Sequence, residues 1–108
     1  MDAAPATKGH ALVLPKNHYA DIYEIDPDVL GRAIQVGQKV VKHATKVLEC
    51  DGYNLLQNNG TIAGQTVFHF HMHLIPRYSD NNEGQMINWK PNEFSDEEMK
   101  AICHKMKM

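Results

Sequence analysis

Three histidines that alternate with apolar residues constrain this chain more than any other feature of its sequence. They are His69, His71 and His73, within the run VFHFHMHLIP at residues 67–76. Because side chains alternate between the two faces of a strand, a strand here would place the three imidazoles on one face and the apolar side chains on a core face. Titratable rings are costly to place near a core. The pattern therefore indicates a site that needs a nucleophile, proton carriers or metal ligands.

The composition favours one globular domain and gives no sign of a polyanionic or membrane partner. The chain has 108 residues, 43% of them hydrophobic, and a net charge of −2. This balance lacks the basic excess typical of nucleic-acid binding, and no apolar run approaches the roughly 20 residues of a membrane span. The first residues do not resemble a signal peptide. The two cysteines, Cys50 and Cys103, are far apart and are expected to be free thiols in the cytoplasm.

The periodicity predicts two helices. Asp26 and Pro27 form a helix start, and apolar residues then recur at three- and four-residue steps as far as about Glu49, with Gly52 ending the helix. Ser95 and Glu98 form a capping box, which predicts a short helix to about Met106. Strands are predicted at residues 10–16, 53–57 and 67–75, and a turn at residues 58–60 should pair the last two antiparallel. The expected fold class is α+β, an antiparallel sheet with a long helix on one face.

The residues alone leave two chemistries open for the histidines. Alternate histidines on a strand can bind zinc, and His10 could complete such a set from another strand. A neutral imidazole also attacks phosphorus well, and its adduct is labile enough to hydrolyse. The loop at residues 60–66, GTIAGQT, offers backbone N–H groups, an amide and a hydroxyl, which are the donors that a phosphate needs.

These segments resemble the signature of the histidine triad family, His-φ-His-φ-His-φ-φ with φ apolar. The sequence GQTVFHFHMHLIPR at residues 64–77 meets that pattern. Residues 53–60 resemble the family's preceding strand and its asparagine-bearing end, and GHALVLPK at residues 9–16 resembles its first histidine strand. Asp2 lies eight residues before His10, where the family has a ribose-binding acid. The resemblance covers about residues 2–78.

The resemblance implies a catalytic role for four histidines. His71 would be the nucleophile that attacks the α-phosphate of a nucleotide, and water would then release a nucleoside monophosphate from the nucleotidyl-imidazole. His69 and His10 would hold the site together by hydrogen bonds behind the nucleophile. His73 would contact the phosphate or the leaving group.

The same resemblance implies a set of substrate-binding residues and a homodimer. Gly64, Gln65 and Thr66 would bind the phosphate or leaving group, Asn58 would reach the ribose side or the phosphate, and Asp2 would bind the ribose hydroxyls. Family members usually join their sheets and pack their long helices in a homodimer. The substrate would be a purine nucleotide, with no cofactor, metal, nucleic acid or membrane involved.

The chain departs from the family pattern at its N-terminus. Family members normally carry a helix and a strand or two before the position of Asp2, and these supply much of the apolar wall around the base. We therefore expect a catalytic domain at residues 1–78 that lacks those elements, with fewer strands, a half-open nucleotide pocket and an exposed sheet edge. Residues 79–108 would form a C-terminal extension, in which Trp89 either covers the core or reaches a partner's site.

Three functions are compatible with this sequence. The favoured one is a hydrolase of adenosine phosphoramidates or aminoacyl adenylates, and dinucleoside polyphosphates are the alternative substrates. The second is a nucleotide-binding scaffold without catalysis, and the third is a metal protein with His69, His71 and His73 as ligands. The remaining histidines, His18, His43 and His104, are expected to be solvated surface residues.

Overall fold

A computed structural model of the chain describes residues 1–80 and 91–108. In the described residues, three strands and two helices follow one another in the order β1, α1, β2, β3, α2, and a 3-10 turn lies between β2 and β3. Their bounds are Ala11–Val13 for β1, Pro27–Leu48 for α1, Gly52–Leu56 for β2, Thr61–Ala63 for the 3-10 turn, Met72–Arg77 for β3 and Asp96–Met106 for α2. The α+β class with a long helix and a short C-terminal helix is confirmed. The prediction about Trp89 lies outside the described residues.

The sheet has β3 at its centre. Its strand order is β1-β3-β2 and both pairings are antiparallel, as predicted for the last two strands. His73 lies opposite Leu12 of β1, and Leu74 lies opposite Leu55 of β2. Leu74 and Ile75 are fully buried; β3 has a strand on each side, and Leu74 packs in the core cluster with Ala33 of α1. This strand therefore gives the site a rigid base.

Helix α1 covers one face of the sheet. Asp26 caps its N-terminus by accepting a hydrogen bond from the Asp28 backbone at 2.8 Å, and Pro27 occupies the first turn, as the sequence predicts. Ala33 packs in one core cluster with Met72 and Leu74. Since neighbouring side chains on a strand point to opposite faces, His73 lies on the sheet face away from α1.

The helix ends differently from the prediction. Glu49, with φ 54°, adopts the left-handed conformation at the C-terminus, and its N–H donates to Thr45. Gly52 was expected to end the helix but is instead the first residue of β2. A non-glycine residue occupies this conformation at a cost of about 1–2 kcal/mol, which explains why the sequence pointed to the next glycine.

The third strand begins later than predicted. We expected residues 67–75, but the strand starts at Met72, so that only His73 of the three histidines lies in it. The backbone N–H of Phe70 donates to the Tyr19 carbonyl at 2.6 Å instead of joining a ladder, which holds the preceding residues out of the sheet. Phe70 is buried as expected for the core face, but Phe68 is 55% exposed.

The first strand is shorter than the predicted residues 10–16, because β1 pairs with β3 only from Ala11 to Val13. The capping box of α2 is present as predicted, with Ser95 and Glu98 each satisfying the other's backbone N–H. In the part of the chain that the structure describes, neither helix combines the length and the apolar character that crossing a membrane would need.

Candidate functional site: a histidine cluster at the end of the sheet

The candidate site lies where β1 and β3 meet at one end of their pairing. His10 immediately precedes β1, His73 lies in β3, and the ring nitrogens Nε2 of His10 and Nδ1 of His73 are 2.9 Å apart. Asp2 is held beside them because its backbone N–H donates to the His10 carbonyl at 2.9 Å. Strand pairing thus brings together residues that are 63 positions apart.

The backbone fixes the protonation of His10. This ring is almost completely buried, and its Nδ1 accepts the Ala6 backbone N–H at 2.9 Å. A ring nitrogen that accepts a hydrogen bond carries no proton, so the proton of the neutral ring lies on Nε2. Nε2–H then donates to Nδ1 of His73, which leaves the proton of the His73 ring on its own Nε2.

The surroundings of His73 keep it neutral. Burial lowers the pKa of its imidazole below the ordinary value of 6.5, and the nearby rings of His71 and His10 lower that pKa further, against an opposing effect of Asp2. The Asp2 carboxyl has a lowered pKa, chiefly because its Oδ1 accepts the Ala4 backbone N–H. At neutral pH the site therefore combines an ionised Asp2 with an uncharged His73 that presents an N–H.

His71 is protonated on the opposite nitrogen. Its Nδ1 lies 2.7 Å from the backbone carbonyl oxygen of His69, and a carbonyl can only accept, so Nδ1 is the donor. The neutral ring then carries an unprotonated Nε2 with a free electron pair. The ring is packed edge-on against His73, with centroids 5.0 Å apart. His71 thus has the protonation that a nucleophile requires.

His69 is held from the side of β1. Its Nε2 lies 3.1 Å from the Pro15 carbonyl, and its Nδ1 lies 3.2 Å from Nδ1 of His18. His69 and His10 were expected to hold the site together by hydrogen bonds behind the nucleophile, and each bonds to a different member of the triad, so their shared role stays a prediction. The His10 ring contacts His73, and His69 reaches His71 through its backbone carbonyl.

The side chain of Gln65 does not contact the site directly. Gln65 is buried, its Oε1 accepts the Gly60 N–H, and its Nε2 donates to the carbonyls of Ala20 and Val67. Both amide protons are therefore engaged within the protein. A phosphate contact by this amide, which we expected, would require one of those bonds to break. In the structure the Gln65 side chain instead links Gly60 to Ala20 and Val67.

The other expected substrate contacts lie around that loop. Thr66 is exposed next to Gln65. Gly64 has φ +98° and ends the 3-10 turn, and the half-buried Asn58 side chain lies against it, 3.5 Å from where a Cβ would be. The roles of these residues in binding a substrate stay predictions.

The spacing of the ligand atoms in this cluster would suit a metal ion, but the positions of the ring protons would not. Among the described residues, Asp2, His10 and His73 place one ligand atom each within 4.8 Å of one another. A metal-bound histidine donates from its other ring nitrogen to an acceptor, whereas Nδ1 of His10 faces the Ala6 N–H donor. Binding through Nε2 of His10 would therefore leave two donors facing each other. The predicted ligand set of three triad histidines is not assembled either, because among the described residues His69 and His71 belong to no group whose ligand atoms lie within reach of one ion.

Sequence reasoning missed two contributors to the site. His18 is exposed, as predicted, but its ring bonds to His69. Asn59 accepts the Ile22 N–H at 2.7 Å and exchanges hydrogen bonds with Gln57. The available signal for His18 was its position three residues after Pro15, in the segment that follows the strand beginning beside His10.

Comparison with known proteins gives a consistent result across sequence and structure. The family described as HIT domain matches residues 1–80. The adenosine 5'-monophosphoramidase of Schizosaccharomyces pombe is 40% identical over 102 residues, which covers 94% of this chain and 73% of that protein. The adenosine 5'-monophosphoramidase of Saccharomyces cerevisiae is 39% identical, covering 86% of this chain and 56% of that protein.

Solved structures agree with this match. A HIT family protein from Bacillus anthracis superposes with a TM-score of 0.84 at 43% identity, covering 94% of this chain and 72% of the other. A histidine triad nucleotide-binding protein from Candida albicans gives a TM-score of 0.81 at 34% identity, covering 98% of this chain and 76% of the other.

Proposed function

This chain belongs to the HIT domain family, and from that premise we propose that it is a nucleotide hydrolase that cleaves adenosine phosphoramidates through His71. Two yeast relatives at about 40% identity are adenosine 5'-monophosphoramidases, which supports this substrate class over dinucleoside polyphosphates. Aminoacyl adenylates share the adenylyl group and belong to the same proposal. The product would be a nucleoside monophosphate.

One observation carries the proposal, namely the hydrogen bond of 2.7 Å from Nδ1 of His71 to the His69 carbonyl. It leaves Nε2 of His71 unprotonated, while the backbone contacts of His69 and His10 put the protons of those rings on Nε2. Because His10 donates to His73, Nε2 of His73 is protonated as well. Among the triad and His10, His71 alone presents a free electron pair on Nε2.

The first step follows from these protonation states. Nε2 of His71 attacks the α-phosphorus, a nitrogen–phosphorus bond forms, and the bond from phosphorus to the leaving amine breaks. The positive charge that develops on the ring is stabilised by the His69 carbonyl at Nδ1–H. His73 donates a hydrogen bond from Nε2–H to the phosphoryl or leaving group, and the leaving amine takes its proton from water.

The second step regenerates the nucleophile. Water attacks the same phosphorus, the bond from phosphorus to His71 breaks, and the nucleoside monophosphate is released while a proton passes to solvent. His71 returns to its neutral form with the proton still on Nδ1. In this scheme neither step breaks the hydrogen bond between His10 and His73, and Asp2 stays ionised.

The test is steady-state hydrolysis of an adenosine phosphoramidate by the parent protein and by His71→Ala. The proposal expects turnover in the parent that falls by at least about 10³-fold in the variant. Equal turnover in both proteins would refute the mechanism. Nucleoside monophosphate binding by the parent without turnover would favour the nucleotide-binding scaffold instead. Hydrolysis of a dinucleoside polyphosphate in parallel would show which substrate has the higher kcat/KM.

We also propose that the protein is a homodimer that pairs β2 strands and packs α1 helices. Within the described residues β2 bonds to one neighbour only, β3, and an unpaired edge is a template for a second strand. Beside that edge an apolar groove of about 400 Å³ is lined by Ile34, Gln35, Gln38, Val41 and Leu55. Sedimentation should show a dimer that Leu55→Asp dissociates, whereas Ile62→Asp, at an exposed residue of the 3-10 turn, leaves it intact.

The proposed location is the cytoplasm. Cys50 and Cys103 are both free, and Cys50 is buried, which suits a reducing compartment. Fractionation of source cells would test this proposal, and recovery with secreted proteins would contradict it.

A further inference from the structure

Residues 15–22, which we call the bracing segment, run alongside the residues that lead into the triad. Its contacts run from one end of the segment to the other, and all but that of His18 use backbone atoms of the segment. They are Pro15 O to His69 Nε2 at 3.1 Å, His18 to His69 at 3.2 Å, Tyr19 O to Phe70 N at 2.6 Å, Ala20 O to Gln65 Nε2 at 2.7 Å, and Ile22 N to Asn59 Oδ1 at 2.7 Å. The bracing segment therefore holds residues 65–70, which lie outside the sheet.

The contact between His18 and His69 has one direction when both rings are neutral. The Pro15 carbonyl can only accept, so the proton of His69 lies on Nε2. Nδ1 of His69 is then an acceptor, and Nδ1 of His18 is the donor. The two rings meet edge to face, with centroids 5.1 Å apart, so the bond also fixes how the His69 ring is turned.

We infer that His18 is a positioning residue for the nucleophile, acting through His69, an inference that rests on the proposed function. His69 is bonded on both sides of its ring, by His18 and by the Pro15 carbonyl, and its own carbonyl sets the orientation and protonation of His71. Removing the His18 donor frees one side of the ring. The His69 peptide then samples more orientations. As a result, the hydrogen bond from Nδ1 of His71 to the His69 carbonyl is formed in a smaller fraction of molecules.

The expected loss of kcat on removing the His18 side chain depends on how exposed that side chain is. Water competes for a hydrogen bond at an exposed site, so its net contribution is modest. The Phe70 and Pro15 contacts remain when His18 is removed. We therefore expect a fall in kcat of about 3- to 10-fold rather than the loss expected for a nucleophile, with little change in KM because the proposed role of His18 is exerted on His69 and not on the substrate.

The test compares His18→Leu, His18→Asn and Asn17→Ala in the adenosine phosphoramidase assay, with chelator present so that no trace metal bridges the two rings. Asparagine places an amide N–H close to the position of imidazole Nδ1, so it should restore kcat to within about 2-fold of the parent. Asn17→Ala changes the adjacent exposed residue and should leave kcat unchanged.

A second readout does not depend on turnover. The ¹⁵N chemical shifts of the His71 ring report which nitrogen carries the proton, and His18→Leu should raise the population protonated on Nε2, whereas His18→Asn should not. Unchanged kcat and unchanged His71 shifts in His18→Leu would overturn the inference, as would equal losses in the leucine and asparagine variants. If the parent lacks turnover, or if His71→Ala retains it, the proposed function fails, and the chemical shifts still decide whether His18 positions His71.

Discussion

The carbonyl oxygen of His69 lies 2.7 Å from Nδ1 of His71, two residues further along the chain. The group that orients the nucleophile is therefore part of the backbone, and a spacing of two residues is what brings it within reach. The His69 side chain points elsewhere, to Pro15 and His18. Orientation of His71 and anchoring of the preceding loop are thus separate tasks carried by different atoms of one residue.

This separation predicts that replacing His69 lowers kcat much less than replacing His71 does. His69→Ala keeps the carbonyl that accepts from His71 and removes only the anchoring ring, so kcat should fall by about 10-fold. His71→Ala removes the attacking nitrogen and should cost at least about 10³-fold. Steady-state hydrolysis of an adenosine phosphoramidate measures both variants. Equal losses would mean that the His69 ring takes a direct part in the chemistry.

Gln65 is predicted to matter for stability more than for phosphate binding. Gln65→Ala would leave the Gly60 N–H without its acceptor and two carbonyls without their donor, and each hydrogen bond that is lost contributes about 0.5–1.5 kcal/mol. Chemical denaturation should therefore show a free energy of unfolding lower by at least about 2 kcal/mol. Thr66→Ala, at the exposed neighbouring residue, is the control and should unfold like the parent.

The fold was more predictable from sequence than the site. The capping residue Asp26 and the apolar stripe of α1 act locally, so the helix followed from the residues within it. The alternation of the triad correctly placed His73 on the face away from the core, but it could not show that the strand starts only at Met72. That start depends on a bond between Phe70 and Tyr19, which are distant in sequence.

The pairing of site residues was also invisible to local patterns. Strand register decides that His10 meets His73, and a single strand's periodicity contains no information about register. Gln65 was assigned to the phosphate or leaving group through the family resemblance, while its side chain bonds to the distant Ala20, a contact that no local pattern reveals. His18 was expected to be a surface residue, and its exposure fits that expectation although its ring has a specific partner.

Asp2 allows a test of ribose recognition. Its Oδ2 lies 3.3 Å from Nε2 of His10, while the family resemblance implies that the carboxylate binds ribose hydroxyls. If it does, a 2'-deoxy substrate should lose about 10- to 100-fold in kcat/KM with the parent, the value of a hydrogen bond to a charged group. With Asp2→Ala, the 2'-deoxy substrate and the parent substrate should have nearly the same kcat/KM. An equal penalty in both proteins would show that Asp2 serves the histidine pair and does not contact the 2'-hydroxyl.

The lowered pKa of His73 predicts how stability depends on pH. Burial and the neighbouring His71 and His10 rings place the folded-state pKa below the ordinary value of 6.5. Above pH 6.5 the ring is neutral in both states and has no effect. As the pH falls below 6.5, the unfolded chain takes up the proton first, so the free energy of unfolding decreases until the pH has passed through the folded-state pKa.

His73→Asn isolates this effect, because its amide oxygen can replace Nδ1 as the acceptor for His10 but does not titrate. The variant and the parent share all other histidines, so the difference between their slopes reports His73 alone. Urea unfolding at several pH values from 7.5 to about 5 should show the parent losing stability more steeply below pH 6.5. If the free energy of unfolding had the same pH dependence in the parent and the variant, His73 would take up a proton at the same pH in the folded and unfolded states. The ring would then not be kept neutral by the fold.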